Sequence, residues 1–296
     1  MTRGRANLLL LFAGAIWGLG FVAQASAVGN VGAFLFIGLR FLLASVTVAP
    51  LAWREARQAR HKLSFQDYSG FIFIGLFLSI GSVLQQIGLA TTTVTNSGFL
   101  TGLYVVMVPI LGVVLFRNWP SPIVWPCALT ALGGIYLLAG GQLNSLTTGD
   151  WLTIACAVFW ALQIIFINRL ARENGRPYML SLVQFLTCAV FGFTVALATE
   201  PFNWSTVMLS WPAILFGGVF SCGIAFTLQA VGQRYTSAPQ AAIMLSSEAL
   251  FAALFGAILL GERMTVHGMI GCALIFAAMI SVEVIPAMRE RADATS

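Results

Sequence analysis

The chain is 296 residues long, 59% hydrophobic and only 8% charged, with a mean hydropathy of +0.90. Soluble domains carry about a quarter of their residues as charges, so this composition excludes a soluble enzyme or regulator and points to a chain that crosses a membrane many times. The net charge of +5 does not indicate a nucleic-acid partner, because the basic residues follow the edges of the apolar segments. Cys127, Cys156, Cys188, Cys222 and Cys272 stand singly in apolar sequence without a CxxC pair. That placement argues against disulfides and zinc and for small core residues.

Taken in order, the apolar segments number ten: 7–28, 31–50, 68–88, 96–116, 121–140, 151–168, 178–199, 211–232, 238–260 and 266–285. The first follows Arg3 and Arg5 and ends at Ala25-Ser26-Ala27, which imitates a signal peptide. It is longer than the roughly 7–15 apolar residues of such a peptide and reads as a first membrane span. About 20 apolar residues cross a bilayer as a helix, and lipid-exposed backbone must satisfy its own polar groups, so every span is expected to be helical. The links carry turn signals such as Gly29-Asn30, Gly140-Gly141, Asn174-Gly175 and Glu200-Pro201.

Basic residues then orient the spans. Thirteen of the fifteen, from Arg3 and Arg5 through the cluster Arg54, Arg57, Arg60 and Lys62 to Arg289 and Arg291, fall on one side of a ten-span chain. Only Arg263 falls on the other side, and Arg40 lies inside the second span. By the positive-inside rule both termini are cytoplasmic. An internal repeat fits the same count: 143 residues separate Trp17 from Trp160, and 144 separate Gln85 from Gln229. The members of each pair are offset by five spans, an odd number, so the second half enters the membrane from the opposite face. The expected division is 1–141 and 142–296, two inverted five-helix repeats of an all-α membrane protein with ten transmembrane helices.

Polar and aromatic residues near mid-membrane are the candidates for function. The stretch 238–262, APQAAIMLSSEALFAALFGAILLGE, carries Glu248 at its centre. A charge at that depth costs several kcal/mol and normally faces a bundle interior or a water-filled path. A hydrogen-bonded structural glutamate is the plainer alternative. Trp17, Phe21 and Gln24 share one face of the first span at i, i+4 and i+7. Ser82, Gln85 and Gln86 lie on the third span, Asn96 and Tyr104 on the fourth, Trp160 and Gln163 on the sixth, Phe226 and Gln229 on the eighth, and Ser247 beside Glu248 on the ninth. Midplane tryptophan and tyrosine are unusual, since both prefer the membrane surface. Arg40 can pair with Glu248, reach outward, or attract an anionic group. The pairs Gly14-xxx-Gly18 and Gly98-xxx-Gly102 suit close helix packing. A Walker lysine loop, an HExxH helix and a GxSxG elbow are all absent from the sequence. Neither a catalytic nor a metal set, nor a cofactor motif, can be assembled from its residues, so the chain does not read as an enzyme.

IWGLGFV in the first span, FIGLRFLLA in the second and LYVVMVPILGVVL in the fourth resemble the drug/metabolite transporter superfamily, and most closely its EamA-type exporters. SAPQAAIMLSSEALFAALFGAILLGE resembles the second copy of the repeat, with Glu248-Ala249 where the family usually reads Glu-Pro; Pro109 keeps the matching position in the first copy. The missing proline casts doubt on a proline hinge in that helix. The resemblance implies a basket of helices around a central cavity, with spans five and ten peripheral. It implies a transporter of the bacterial inner membrane that exports amino acids and related small metabolites by alternating access, as a monomer or homodimer in the lipid bilayer. Proton-coupled export of cationic compounds is the alternative within that class, and a non-transporting membrane assembly protein the alternative outside it.

Overall fold

The computed structural model describes residues 1–59, 61–92, 94–139, 146–260 and 265–295. The expected boundary between the halves at 141/142 lies outside the described residues, as do Arg60 and Arg263 of the charge pattern. Among the described residues every regular element is helical: α1 Arg3–Ala27, α2 Ala33–Gln58, α3 Phe65–Gly88, α4 Val94–Thr101, α5 Tyr104–Phe116, α6 Val124–Leu138 and α7 Thr148–Asn174, then α8 Pro177–Thr199, α9 Trp204–Leu209 and α10 Trp211–Phe216. A π-helical stretch, Gly217–Phe226, continues into α11 Thr227–Gln233, and α12 Ala238–Leu245, α13 Ser247–Leu260 and α14 Val266–Thr295 complete the chain. Eight helical segments are long and apolar enough to cross a membrane, and Val124–Leu138 is a shorter apolar helix.

Local sequence accounts for the helix ends. Ser64 with Asp67, Thr147 with Asp150 and Ser237 with Gln240 form capping boxes at the starts of α3, α7 and α12. Each cap satisfies amides that have no partner within the helix and contributes about 1 kcal/mol. Two helices begin without such a cap and borrow one from each other. Glu200, just past α8, accepts from the amides of Phe34 and Leu35 at 2.9 and 2.8 Å. Glu55, near the end of α2, accepts from those of Tyr178 and Met179 at 3.2 and 2.9 Å. The end of each helix therefore meets the start of the other, and α2 and α8 pack antiparallel.

Two membrane segments break in mid-course, and the breaks correspond: α4 and α12 each have eight residues. Around the first, Leu103 N donates to Leu100 O and Val105 N to Gly102 O, three-residue bonds that tighten the turn. Pro109, within α5, lacks an N–H and leaves the Val105 carbonyl, one turn earlier, without its helical donor. Around the second, Ala249 N donates to Ser246 O at 3.2 Å. Here Ser246 Oγ bonds Ile243 O at 2.7 Å, a back-bond of the kind that bends helices. The break therefore persists although Ala249 stands where the family usually has proline.

Glycine sets the closest approaches. A Cβ on Gly18 would lie 2.6 Å from Ala252 N and 2.8 Å from Glu248 O, so the α1 backbone rests directly on α13. Gly14 meets Ser247 Oγ in the same way. The second small-residue pair behaves differently. Gly102 meets Ile135, but nothing lies within 4 Å of a Cβ on Gly98. Around these contacts sit two large apolar clusters, one of α1, α5–α7, α12 and α14 and one of α1, α2, α8 and the π-helix, with Trp17 and Trp160 packed against both. On the outside, side chains such as Leu197 and Val46 are exposed, a lipid-compatible surface.

Gly18→Ala is expected to cost about 1–3 kcal/mol by overpacking, whereas Gly98→Ala, in open space within a helix, should be neutral or gain up to about 1 kcal/mol. Thermal unfolding of the two variants in one detergent measures the difference; equal melting temperatures would show that the α1–α13 approach is not tight.

Candidate functional site

At the seam between the two clusters lies a cavity of about 50 Å³ lined by Trp17 and Gln24 of α1, Arg40 of α2, Ser82 and Gln85 of α3, Thr101 and Tyr104 at the first break, Trp160 and Ile164 of α7, Ser221 and Phe226 of the π-helix, Gln229, Leu245 and Glu248. A water needs roughly 10–15 Å³ of such space, so the cavity has room for only a few. Its wall is aromatic on one side. Phe226 stacks on Trp160 with centroids 5.5 Å apart and planes 9° apart, and its nearest ring neighbour is Trp17 at 4.7 Å. Trp17 is fixed by donating Nε1–H to Ser221 O at 2.9 Å. Both Trp17 and Trp160 line the cavity, and the Phe226 ring bridges them.

Polar groups occupy the remaining wall. Tyr104 OH donates to Glu248 Oε1 at 3.2 Å, joining two residues 144 apart in sequence, each just past a helix break. Gln85 Nε2 donates to Thr101 Oγ1 at 3.0 Å. Gln229 and Gln163 exchange amide hydrogen bonds at 3.1 and 3.4 Å, and Gln163 also donates weakly to Gln184 at 3.5 Å. Arg40 is 4% exposed and Glu248 7%. The ion pairs among the described residues are Arg3–Glu283 and Arg169–Glu173, so neither Arg40 nor Glu248 belongs to one.

Of the residues expected from sequence, Trp17, Gln24, Ser82, Gln85, Tyr104, Trp160, Phe226, Gln229 and Glu248 meet at this cavity. Four others, Gln163, Gln86, Ser247 and Asn96, are not among its lining. Gln163 stands behind Gln229 and holds it in place. Gln86 is buried with Oε1 unpartnered. Ser247 packs against Gly14. Asn96 hydrogen-bonds Asp150 at the start of α7. The Phe21 side chain lies outside the described residues. Ile164, Ser221 and Leu245 join the wall unforeseen, and Thr101, a polar residue of the same fourth span as Tyr104, completes it. Thr101 and Leu245 each end the helix before a break, a position that only the three-dimensional break makes distinctive.

A second, much larger space of about 960 Å³ is lined by Arg3, Asn118, Trp119, Asn168, Arg169, Arg172 and Gln240, together with Val108 and Ile165. Val108 is one helical turn from Tyr104, and Ile165 adjoins Ile164. The two linings thus approach along α5 and α7, where Tyr104, Val105, Val108, Ile164 and Ile165 belong to one apolar cluster.

A small polar cavity walled by tryptophan, deep among apolar helices and one turn from a wide vestibule, is the arrangement of a membrane transporter. The profile of the EamA-like transporter family matches residues 4–140 and again 147–283, and the chain belongs to that family. It is 30% identical over 278 residues, 94% of this chain and 85% of the relative, to an uncharacterized transporter of Archaeoglobus fulgidus. It is 27% identical over 285 residues, 91% of this chain and 84% of the relative, to the uncharacterized transporter YetK of Bacillus subtilis. A crystal structure with 20% identity shares the fold at a TM-score of 0.80, over 98% of this chain and 100% of the other.

Gln163→Leu leaves buried amides of Gln229 and Gln184 short of a partner and should cost about 1–3 kcal/mol. Gln163→Leu with Gln229→Leu should cost less than the sum of the two single changes. Additive losses of melting temperature would show that the amide pair does not act as a unit.

Proposed function

We propose that the chain is a secondary transporter of the bacterial inner membrane that exports amino acids and related small metabolites by alternating access. The observation that carries this reading is the small polar cavity beside the two helix breaks, lined by Tyr104 one helical turn along α5 from Val108 of the vestibule. At about 50 Å³ it is too small for an amino acid in this state, so loading requires the breaks to bend and that single turn to part. The vestibule carries Arg3, Arg169 and Arg172, which the positive-inside rule assigns to the cytoplasmic side. On this reading both termini are cytoplasmic and substrate enters from the vestibule.

Counting each broken helix once, α10, the π-helix and α11 as one, and leaving aside the six-residue α9, the elements form ten membrane helices in two inverted repeats. Contacts between positions related by the repeat support this. Glu55 and Glu200 cap the second and third amides of each other's helices. Tyr104 bonds Glu248, and α4 and α12 begin at Val94 and Ala238 with equal lengths. Such symmetry lets two halves exchange their conformations and so open the site to one side and then the other.

Cysteines placed at Trp17 and Trp160, in a background without the five native cysteines, should react with a membrane-impermeant thiol reagent from each side in turn. Reaction from one side alone would reduce the site to a binding pocket without alternating access. A reporter active only in the periplasm should be silent when fused to the C-terminus; activity would reverse the topology.

A further inference from the structure

Arg40 is the buried group that the contacts above leave least provided for. Arginine presents five N–H donors and stays charged at physiological pH. One nitrogen donates to Gln24 Oε1 at 3.1 Å and another to Cys222 Sγ at 3.3 Å, both neutral partners, the second a weak acceptor. Nε has no partner. The helix around it is shaped to admit the group. A Cβ on Gly217 would lie 2.6 Å from Nε, and one on Gly218 3.0 Å from the Arg40 carbonyl oxygen. The π-helical stretch thus brings bare backbone against α2, where any side chain would displace the guanidinium. Phe36 packs beneath it, with the guanidinium carbon 5.1 Å from the ring centroid. Arg40 therefore neither reaches the surface nor pairs with Glu248, and it lines the cavity.

We infer that the cavity is a zwitterion clamp, in which Arg40 anchors the carboxylate of an α-amino acid and Glu248, oriented by Tyr104, receives its ammonium group. This inference rests on the transport reading above and names the substrate class of the same site. Three observations select it. One cavity holds a guanidinium and a carboxyl group that share no bond, so a ligand carrying both charges supplies Arg40 with the anionic partner it lacks and Glu248 with a cationic one beside Tyr104. A guanidinium binds a carboxylate through two parallel charge-assisted hydrogen bonds, stronger than the amide and thiol contacts it now makes. Trp17, Trp160 and Phe226 offer an apolar wall for a side chain. A simple cationic compound satisfies Glu248 but must lie in the field of Arg40, which disfavours it.

The test uses purified full-length protein in lipid nanodiscs and ligands that share one body: phenylalanine, phenethylamine without the carboxylate, and phenylpropionate without the amine, with the matching set built on leucine. Wild-type protein should bind at least one zwitterion, each of its two truncated forms at least tenfold more weakly. Arg40→Gln should abolish the advantage of the zwitterion over the amine, and Glu248→Gln its advantage over the carboxylate. Amines bound as well as zwitterions by the wild type, or no zwitterion of either set bound, overturns the clamp, and this arm needs no variant to fold. So does an unchanged carboxylate preference in monodisperse Arg40→Gln or Arg40→Lys. The cysteine accessibility experiment needs no ligand, so alternating access without zwitterion preference refutes the clamp and leaves the transport reading standing.

Discussion

The hydrogen bond from Tyr104 to Glu248 joins the two places where long apolar helices break, and the cavity is organised around it. In a bilayer an interrupted helix exposes backbone groups that lipid cannot satisfy, so a break is tolerated where protein or a water-filled space covers it. Both breaks here are covered by the same space. Their turns keep some of the freed bonds in three-residue form, and the side chains that follow them meet each other. The polar depth that permits a ligand site thus comes from the same local bends that create the site.

Charge follows the same economy. Glu55 and Glu200 lie at the rims of the α2–α8 pair and spend their carboxylates on helix amides instead of on arginines. A carboxylate at a helix start also sits at the positive end of the helix dipole. The most extensive antiparallel packing in the bundle is thereby pinned at both ends, while Arg40, within α2, is left for the cavity. Had either glutamate been placed to reach Arg40, the guanidinium would be neutralised and the pocket closed to anions.

Much of this was legible in sequence because depth in the membrane can be counted along a span. Glu248, Tyr104, Trp17 and Trp160 stood out for being too polar or too amphipathic for their depth. What counting could not supply was partnership. Tyr104 and Glu248 are 144 residues apart, and only the fold puts them in contact. Arg40 had three equally sound readings until its burial removed the outward one and its neighbours removed the direct pair with Glu248. Spacing misled in one case: Gly98 has the same motif as Gly14 but faces open space, because a four-residue period says which residues share a face and not what that face meets. Asn96, Gln163 and Ser247 were polar at plausible depth yet serve Asp150, Gln229 and the α1–α13 contact. Polarity at depth marks a demand for a partner, and a neighbouring side chain can meet that demand as well as a ligand.

That distinction also explains the cavity's contracted size. A buried arginine without a ligand is held by whatever neutral acceptors lie closest, and here a glutamine oxygen and a thiol fill that place. These are weak substitutes, since hydrogen bonds in which both partners are charged are roughly twice as strong as neutral ones. The walls lie close around Arg40, with Trp17 and Trp160 both against Phe226 and room for only a few waters. On the clamp reading, a carboxylate entering from the vestibule would exchange those weak contacts for strong ones and part the same walls, so that occupation of Arg40 and opening of the cavity would be coupled through one side chain.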